Sequence, residues 1–224
     1  MVGRLPVGGQ TDSMPPGSGR AGTSPVVVYF AKVPIAGQVK TRLCPPLTPV
    51  EAAALYGAFL RQVVVPVRGA KTLVYGWPED CLGELRRLVP AEIEVRAQCG
   101  ADLFERMARC MGELFAAGHS PVLIRNTDSP DLPRERIAEA LERTCAGTAV
   151  FGPDFGGGYY LVSLAEPRPE LFSAAGNDGT TVLARAETRA RELGMAVERL
   201  AFERDVDSFD DLVEMWRARA LRST

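Results

Sequence analysis

The 224-residue chain is short of several things an enzyme or binding protein often uses. It has one histidine, His119, set between Gly118 and Ser120-Pro121 in what reads as a helix-to-strand turn. A Ser-His-Asp or Cys-His mechanism would have to rest on that one ring. Its five cysteines (Cys44, Cys81, Cys99, Cys110 and Cys145) are widely spaced, odd in number and form no CxxC pair. That pattern argues against a disulfide framework and against a zinc site, and fits reduced thiols of a cytoplasmic protein. No basic excess exists: 26 Lys and Arg are interleaved with 28 Asp and Glu, for a net charge of −2. An electrostatic footprint for nucleic acid is therefore missing. No apolar run approaches the roughly 20 residues of a membrane span, so no membrane insertion is expected.

Hydrophobic residues make up 46% of the chain, which is enough to build a core and excludes wholesale disorder. Residues 1–24 are rich in Gly, Pro, Ser and Thr, lack the apolar segment of a secretion signal, and read as a disordered leader. From Pro25 onward the chain alternates strand-like and helical segments. Val26-Val27-Val28-Tyr29-Phe30 has the unbroken apolar character of a strand buried on both faces. Thr48-Pro49-Val50-Glu51 spells a capping box with proline at the first helical position, and opens a helix to about Val65. Further strands are expected at Thr72–Tyr75, Ile93–Val95, Pro121–Ile124, Thr148–Phe151, Tyr159–Leu164 and Ala196–Leu200. Helices are expected at Cys81–Leu88, Asp102–Ala117, Arg134–Arg143, Thr180–Leu193 and Ser208–Leu221, the last capped by Ser208 with Asp211 three residues on. This order predicts an α/β, three-layer α/β/α sandwich with a mostly parallel sheet, formed by residues 25–224 as a single domain.

In such a sheet the chemistry gathers in loops at the carboxyl ends of the strands. Four loops stand out. The first, Ala31 to Leu43, carries Lys32, Gly37, Lys40 and Arg42, groups suited to a diphosphate though equally to a solvated basic loop. It is not a P-loop. The second, Asn126 to Pro133, follows an apolar strand and holds Asp128, a candidate ligand for Mg²⁺ or Mn²⁺, and Asp131, which equally reads as a helix cap. The third, Gly152 to Tyr160, contains Asp154 and three consecutive glycines, compatible with close approach to a ligand or with a hairpin turn. The fourth, Asp205-Val206-Asp207-Ser208, puts two carboxylates on one side of an extended backbone.

Taken in order, these loops resemble one family. Phe30-Ala31-Lys32-Val33-Pro34, Lys40-Thr41-Arg42-Leu43 and Leu47-Thr48-Pro49 look like the opening signature of bacterial GT-A-like transferases associated with arsenosugar biosynthesis. The likeness continues through Gln98, Gly100, Asp102-Leu103, Arg106-Met107, Thr127 to Pro133, Gly152-Pro153, Gly157 to Leu161 and Asp205-Val206-Asp207. It implies a nucleotide-diphospho-sugar transferase fold and a metal-dependent glycosyltransferase acting on a nucleotide sugar and a small-molecule acceptor. It also implies roles. Ala31, Lys32, Gly37, Lys40, Arg42, Gln98 and Asp102 would bind the nucleotide and its phosphates. Asp128 and Asp207 would hold Mg²⁺ or Mn²⁺, and Gly157, Gly158 and Tyr159 would shape the acceptor side. Asp128, Asp154 and Asp178 would be the catalytic carboxylates. A more distant likeness to guanylyltransferases keeps nucleotidyl transfer as the alternative, with a non-catalytic nucleotide-binding relic as a third. Gly156 stands where the family usually has an acid, and Gly176 to Thr181 replaces a Trp-Ser-Thr stretch. The sequence leaves a homo-oligomer open.

Overall fold

The computed structural model describes residues 23–172 and 181–222. Among these residues seven strands form one sheet in the order β3-β2-β1-β4-β6-β5-β7. They are β1 (Val26–Lys32), β2 (Lys71–Trp77), β3 (Glu94–Ala97), β4 (Val122–Arg125), β5 (Thr148–Pro153), β6 (Tyr159–Leu164) and β7 (Ala196–Arg199). β6 runs antiparallel to both its neighbours, and the remaining pairings are parallel. The strand predicted at Ile93–Val95 lies at Glu94–Ala97, because β2 offers Leu73 to Gly76 as its pairing edge.

Among the described residues six α-helices flank the sheet: α1 (Pro49–Val63), α2 (Leu82–Arg86), α3 (Leu103–Ala116), α4 (Glu135–Arg143), α5 (Val182–Glu192) and α6 (Phe209–Arg222). Alternation along β1 sorts its side chains to two cores. Val27 and Tyr29 join Leu60 of α1, Leu85 of α2, Ile137 of α4 and Leu212 of α6. Val26, Val28 and Phe30 join Met111 and Leu114 of α3 and Ala186 and Ala190 of α5. The sandwich is therefore three-layered, as the sequence predicts.

Local chemistry fixes the helix starts. Thr48 Oγ1 accepts from the Glu51 amide while Glu51 Oε2 accepts from the Thr48 amide at 2.8 Å, completing the predicted capping box. Ser208 and Asp211 make the same reciprocal pair at α6. α2 is shorter than predicted. Proline stands before and after it and Gly83 lies within it, and its Leu82 and Leu85 pack down over Gly76 of β2. The five cysteines are free thiols. His119 contacts Ser24 just before β4, at the sheet end opposite the loops that follow β1 and β4.

Candidate nucleotide-binding cleft

β1 and β4 are neighbours, so the loops that leave their carboxyl ends meet although they lie far apart in sequence. Between them opens a cleft of about 480 Å³. Of the residues expected to bind nucleotide or metal, Ala31, Lys32, Lys40, Arg42, Gln98, Asp128 and Asp207 line it.

Lys40 is the centre of this geometry. Its backbone takes a left-handed conformation (φ 50°), unusual for a residue with a Cβ. That turn aims the side chain inward, where it is only 4% exposed. Nζ lies 2.5 Å from Asp128 Oδ1, 3.1 Å from Asp207 Oδ1 and 2.6 Å from the Val206 carbonyl. It also stands 5.9 Å from the centroid of the Tyr56 ring. Burial pulls its pKa down, but the two carboxylates outweigh burial and leave it above the ordinary lysine value. The ammonium is fully charged and bridges two loops.

The loop after β4 is held rigidly around Asp128. Tyr56 of α1 bonds Thr127 Oγ1 at 2.7 Å and accepts from the Lys32 amide at 3.0 Å. Burial drives the Tyr56 pKa up, so its hydroxyl stays protonated. Asp205 accepts from Asn126 Nδ2 at 2.7 Å and from Ser129 Oγ at 2.5 Å. Burial pushes the Asp205 carboxyl up to about 6, with Asp128 and Asp154 adding to it and the two hydrogen bonds opposing. The Val206 amide donates to the Asp128 carbonyl at 2.9 Å. The two aspartates of the Asp205–Asp207 segment thus divide their work: Asp205 braces the loop and Asp207 faces the ammonium.

Other expected residues sit elsewhere. Gly37 occupies a left-handed turn (φ 79°) within the first loop and does not line the cleft. Asp102 caps α3, with Oδ1 accepting from the Glu105 amide at 2.9 Å. Gln98 lines the cleft, but its Nε2 donates to the Ala31 and Tyr75 carbonyls and so ties the ends of β1 and β2. Asp154, Gly157, Gly158 and Tyr159 form the β5–β6 hairpin rather than a wall of this cleft. Asp154 Oδ1 accepts from the Gly158 amide at 2.9 Å, and Tyr159 packs edge-on against Phe151. A Cβ on Gly158 would come within 2.5 Å of Asp154 Oδ2, so the glycine is required by the turn itself. Asp178 lies outside the described residues.

Two residues complete the cleft: Trp77, which the sequence did not single out, and Arg106, which it named in the family likeness without a role. Trp77 is 38% exposed, and the Arg106 guanidinium stacks on its ring at 5.2 Å. Arg106 Nε is buried and has no hydrogen-bond partner among the described residues. Lys32, Arg42 and Arg106 carry no ion pair among the described residues, so three cations remain uncompensated around the cleft. The position of Arg106 one turn into α3, after the Gly100 loop, was the available signal. Trp77 at the end of β2 was the other.

This architecture is that of the nucleotide-diphospho-sugar-transferase-like folds. A candidate nucleotide-diphospho-sugar transferase from Desulfovibrio desulfuricans G20 is 29% identical, over 88% of this chain and 87% of that one, with a TM-score of 0.80. A nucleotidyl transferase from Methanothermobacter (14% identity, 91% and 100% covered, TM-score 0.58) shares the fold. So does a cytidylyltransferase from Leptospira borgpetersenii (12% identity, 85% and 84% covered, TM-score 0.56). The chain belongs to DUF2064, a family described as an uncharacterized protein conserved in bacteria, whose model matches residues 63–176. No curated protein matches it. Among the described residues, no helix is long and apolar enough to cross a membrane.

Proposed function

We propose that this protein is a metal-dependent transferase that binds a nucleotide-diphosphate sugar in the cleft and passes the glycosyl group to a small-molecule acceptor. The observation that carries this reading is the convergence of Lys40 from the first loop with Asp128 and Asp207 from two others. Lys40, Arg42 and Lys32 would face the diphosphate. The exposed ring of Trp77 offers a stacking surface for the base, and Arg106 beside it has an unspent donor.

The residues fit a divalent cation. Asp128 and Asp207 already reach one positive centre, and they present hard oxygen donors. Among the described residues no group of three or more metal-ligating side chains occurs. Two carboxylates are what Mg²⁺ or Mn²⁺ takes from protein when substrate phosphates and water supply the remaining ligands. Bound there, the cation would lessen the charge that builds on a departing diphosphate. The chain's own contribution is positioning: Asp205, Asn126 and Ser129 hold the Asp128 loop still, and Lys40 is fixed at its backbone before any ligand arrives. A catalytic base belongs to the acceptor side, where Asp154 and Asp178 are the candidates.

The test is a thermal-shift panel of nucleotides and sugar nucleotides, with and without Mn²⁺. A nucleotide-diphosphate sugar should stabilise the protein more in the presence of Mn²⁺, and Asp128→Ala should abolish that extra shift. An unchanged shift in Asp128→Ala would remove Asp128 from the metal site. The nucleotidyl transferases that share the fold favour a second reading, transfer of a nucleotidyl group. Release of pyrophosphate from labelled nucleoside triphosphates would select it.

A further inference from the structure

On the other side of the Asn126–Pro133 loop lies a second cavity, of about 610 Å³, that the proposed reaction does not use. It is bounded by the end of α1, the segment through Val65 to Arg68, and the first turns of α4. Its floor is apolar, with Tyr29, Val63, Leu132 and Ile137. At its back is Arg125, only 4% exposed and in no ion pair among the described residues.

The Arg125 guanidinium lies over the Tyr29 ring at 5.4 Å. Nε donates to the Asn126 carbonyl at 2.9 Å and Nη2 to the Ser129 carbonyl at 3.2 Å. Nη1 has no hydrogen-bond partner among the described residues. Burial pulls the pKa of this group down to about 10, which still leaves it charged at neutral pH. Asp205 and Asp128 act on this cation from a distance, but its direct contacts are two carbonyls and a ring face, and no carboxylate forms an ion pair with it among the described residues. Arg68 and Arg134 stand exposed at the rim and make no ion pair among the described residues. Two acids also line the cavity. Asp131 is held by Arg219 at 2.6 Å, which cancels its charge, and Glu135 stands exposed. Cations therefore exceed anions.

We propose that this cavity is a second ligand site, for a small molecule that carries a carboxylate or phosphate on an apolar body. The oxyanion would meet Arg125, with Arg68 and Arg134 closing over it, and the apolar part would lie on Tyr29, Val63 and Ile137. Planar guanidinium groups suit either oxyanion. The site is independent of the nucleotide reading. It is nonetheless joined to the cleft, because Arg125 grips the carbonyls on both sides of Asp128.

Calorimetric titration of the full chain with benzoate and with phenyl phosphate tests this, with phenol and inorganic phosphate as controls for the two halves of the ligand. Three proteins are compared: the wild type, the double variant Arg68→Gln/Arg134→Gln, and Lys40→Met as a control for the cleft. Both substituted arginines are exposed, so the fold should persist, which circular dichroism verifies. The expected result is saturable binding of at least one aromatic anion to the wild type. Its affinity should drop at least tenfold in the double variant and stay within twofold in Lys40→Met, and phenol should not bind. Any other pattern overturns the proposal: no saturable binding, an unchanged affinity in the double variant, or a loss in Lys40→Met. Benzoate and phenyl phosphate compared with each other then tell whether carboxylate or phosphate is preferred.

Discussion

A single ammonium between two carboxylates sets the behaviour of the cleft. Removing it has two separable effects. Lys40→Ala deletes a charged donor next to the expected diphosphate, and hydrogen bonds to charged groups contribute about 1.5–3 kcal/mol. Binding of every nucleoside diphosphate should weaken roughly 10- to 100-fold, by the same factor for each base. Titration calorimetry across the bases measures this, and a loss confined to one base would mean that Lys40 does not read phosphate. The same substitution leaves Asp128 and Asp207 facing each other without a counter-charge. Mn²⁺ alone should then bind tighter to Lys40→Ala than to the wild type, because it no longer competes with an ammonium. Weaker Mn²⁺ binding in the variant would place the cation elsewhere. Glu187 offers a residue-scale contrast remote from the cleft. It is buried on α5 and paired with Arg199 and Arg191, and those hydrogen bonds hold its carboxyl below the ordinary range. Glu187→Gln should destabilise the protein by about 1–2 kcal/mol at neutral pH, a value reduced because both arginines are half exposed. The folded pKa is depressed, so this contribution is complete above the unfolded value and lost on acidification through the folded one. Wild type and variant should therefore converge in stability well below pH 4.5.

At the scale of elements, close contacts over glycine decide the packing. Gly152 of β5 lies under the Tyr160 ring of β6, whose hydroxyl donates to the Ala201 carbonyl. An added Cβ would fall 2.3 Å from the ring. Gly152→Ala should cost about 2 kcal/mol by overpacking. In a chain of this size that lowers the melting temperature by roughly 4–8 °C, which calorimetry would record. Element types were legible in the sequence because each strand is bounded by turn residues and each long helix carries its cap and stripe. The capping boxes at Thr48 and Ser208 needed only four residues to be read. Sheet order was not legible, since nothing in Val122–Arg125 says that it lies beside β1. The site was legible in part for the same reason. Lys40 and Asp128 belong to loops whose residue types announce charge chemistry. Trp77 and Arg106 could equally have been core and surface, and only the packing of α3 against the end of β2 brings them together. The third loop left two readings open. Its glycines are compatible with ligand approach, yet the geometry that demands them at Gly158 is a turn closed on Asp154.

For the whole molecule, the balance of carboxylates sets the response to acid. Glu51, Glu94, Glu105, Glu187 and Asp211 all titrate below their ordinary values, held down mainly by hydrogen bonds from backbone amides, hydroxyls or arginines. Their stabilisation is present above the unfolded values and lost as pH falls through the folded ones. Asp205 works in the opposite sense, its raised pKa weakening the fold as pH climbs from 3.8 to about 6. The melting temperature should therefore fall steeply as pH drops from 4.5 to 3, and fall by a smaller amount as pH rises from 5 to about 6 before levelling, as differential scanning calorimetry would show. A protein that melts at the same temperature at pH 3 and pH 6 would contradict this balance. Chain order has a last consequence. Lys40 emerges early in synthesis, whereas the Val206 carbonyl and Asp207 that complete its surroundings come after every strand has been made. During synthesis the surroundings of Lys40 thus stay incomplete until the segment that follows β7 has been made.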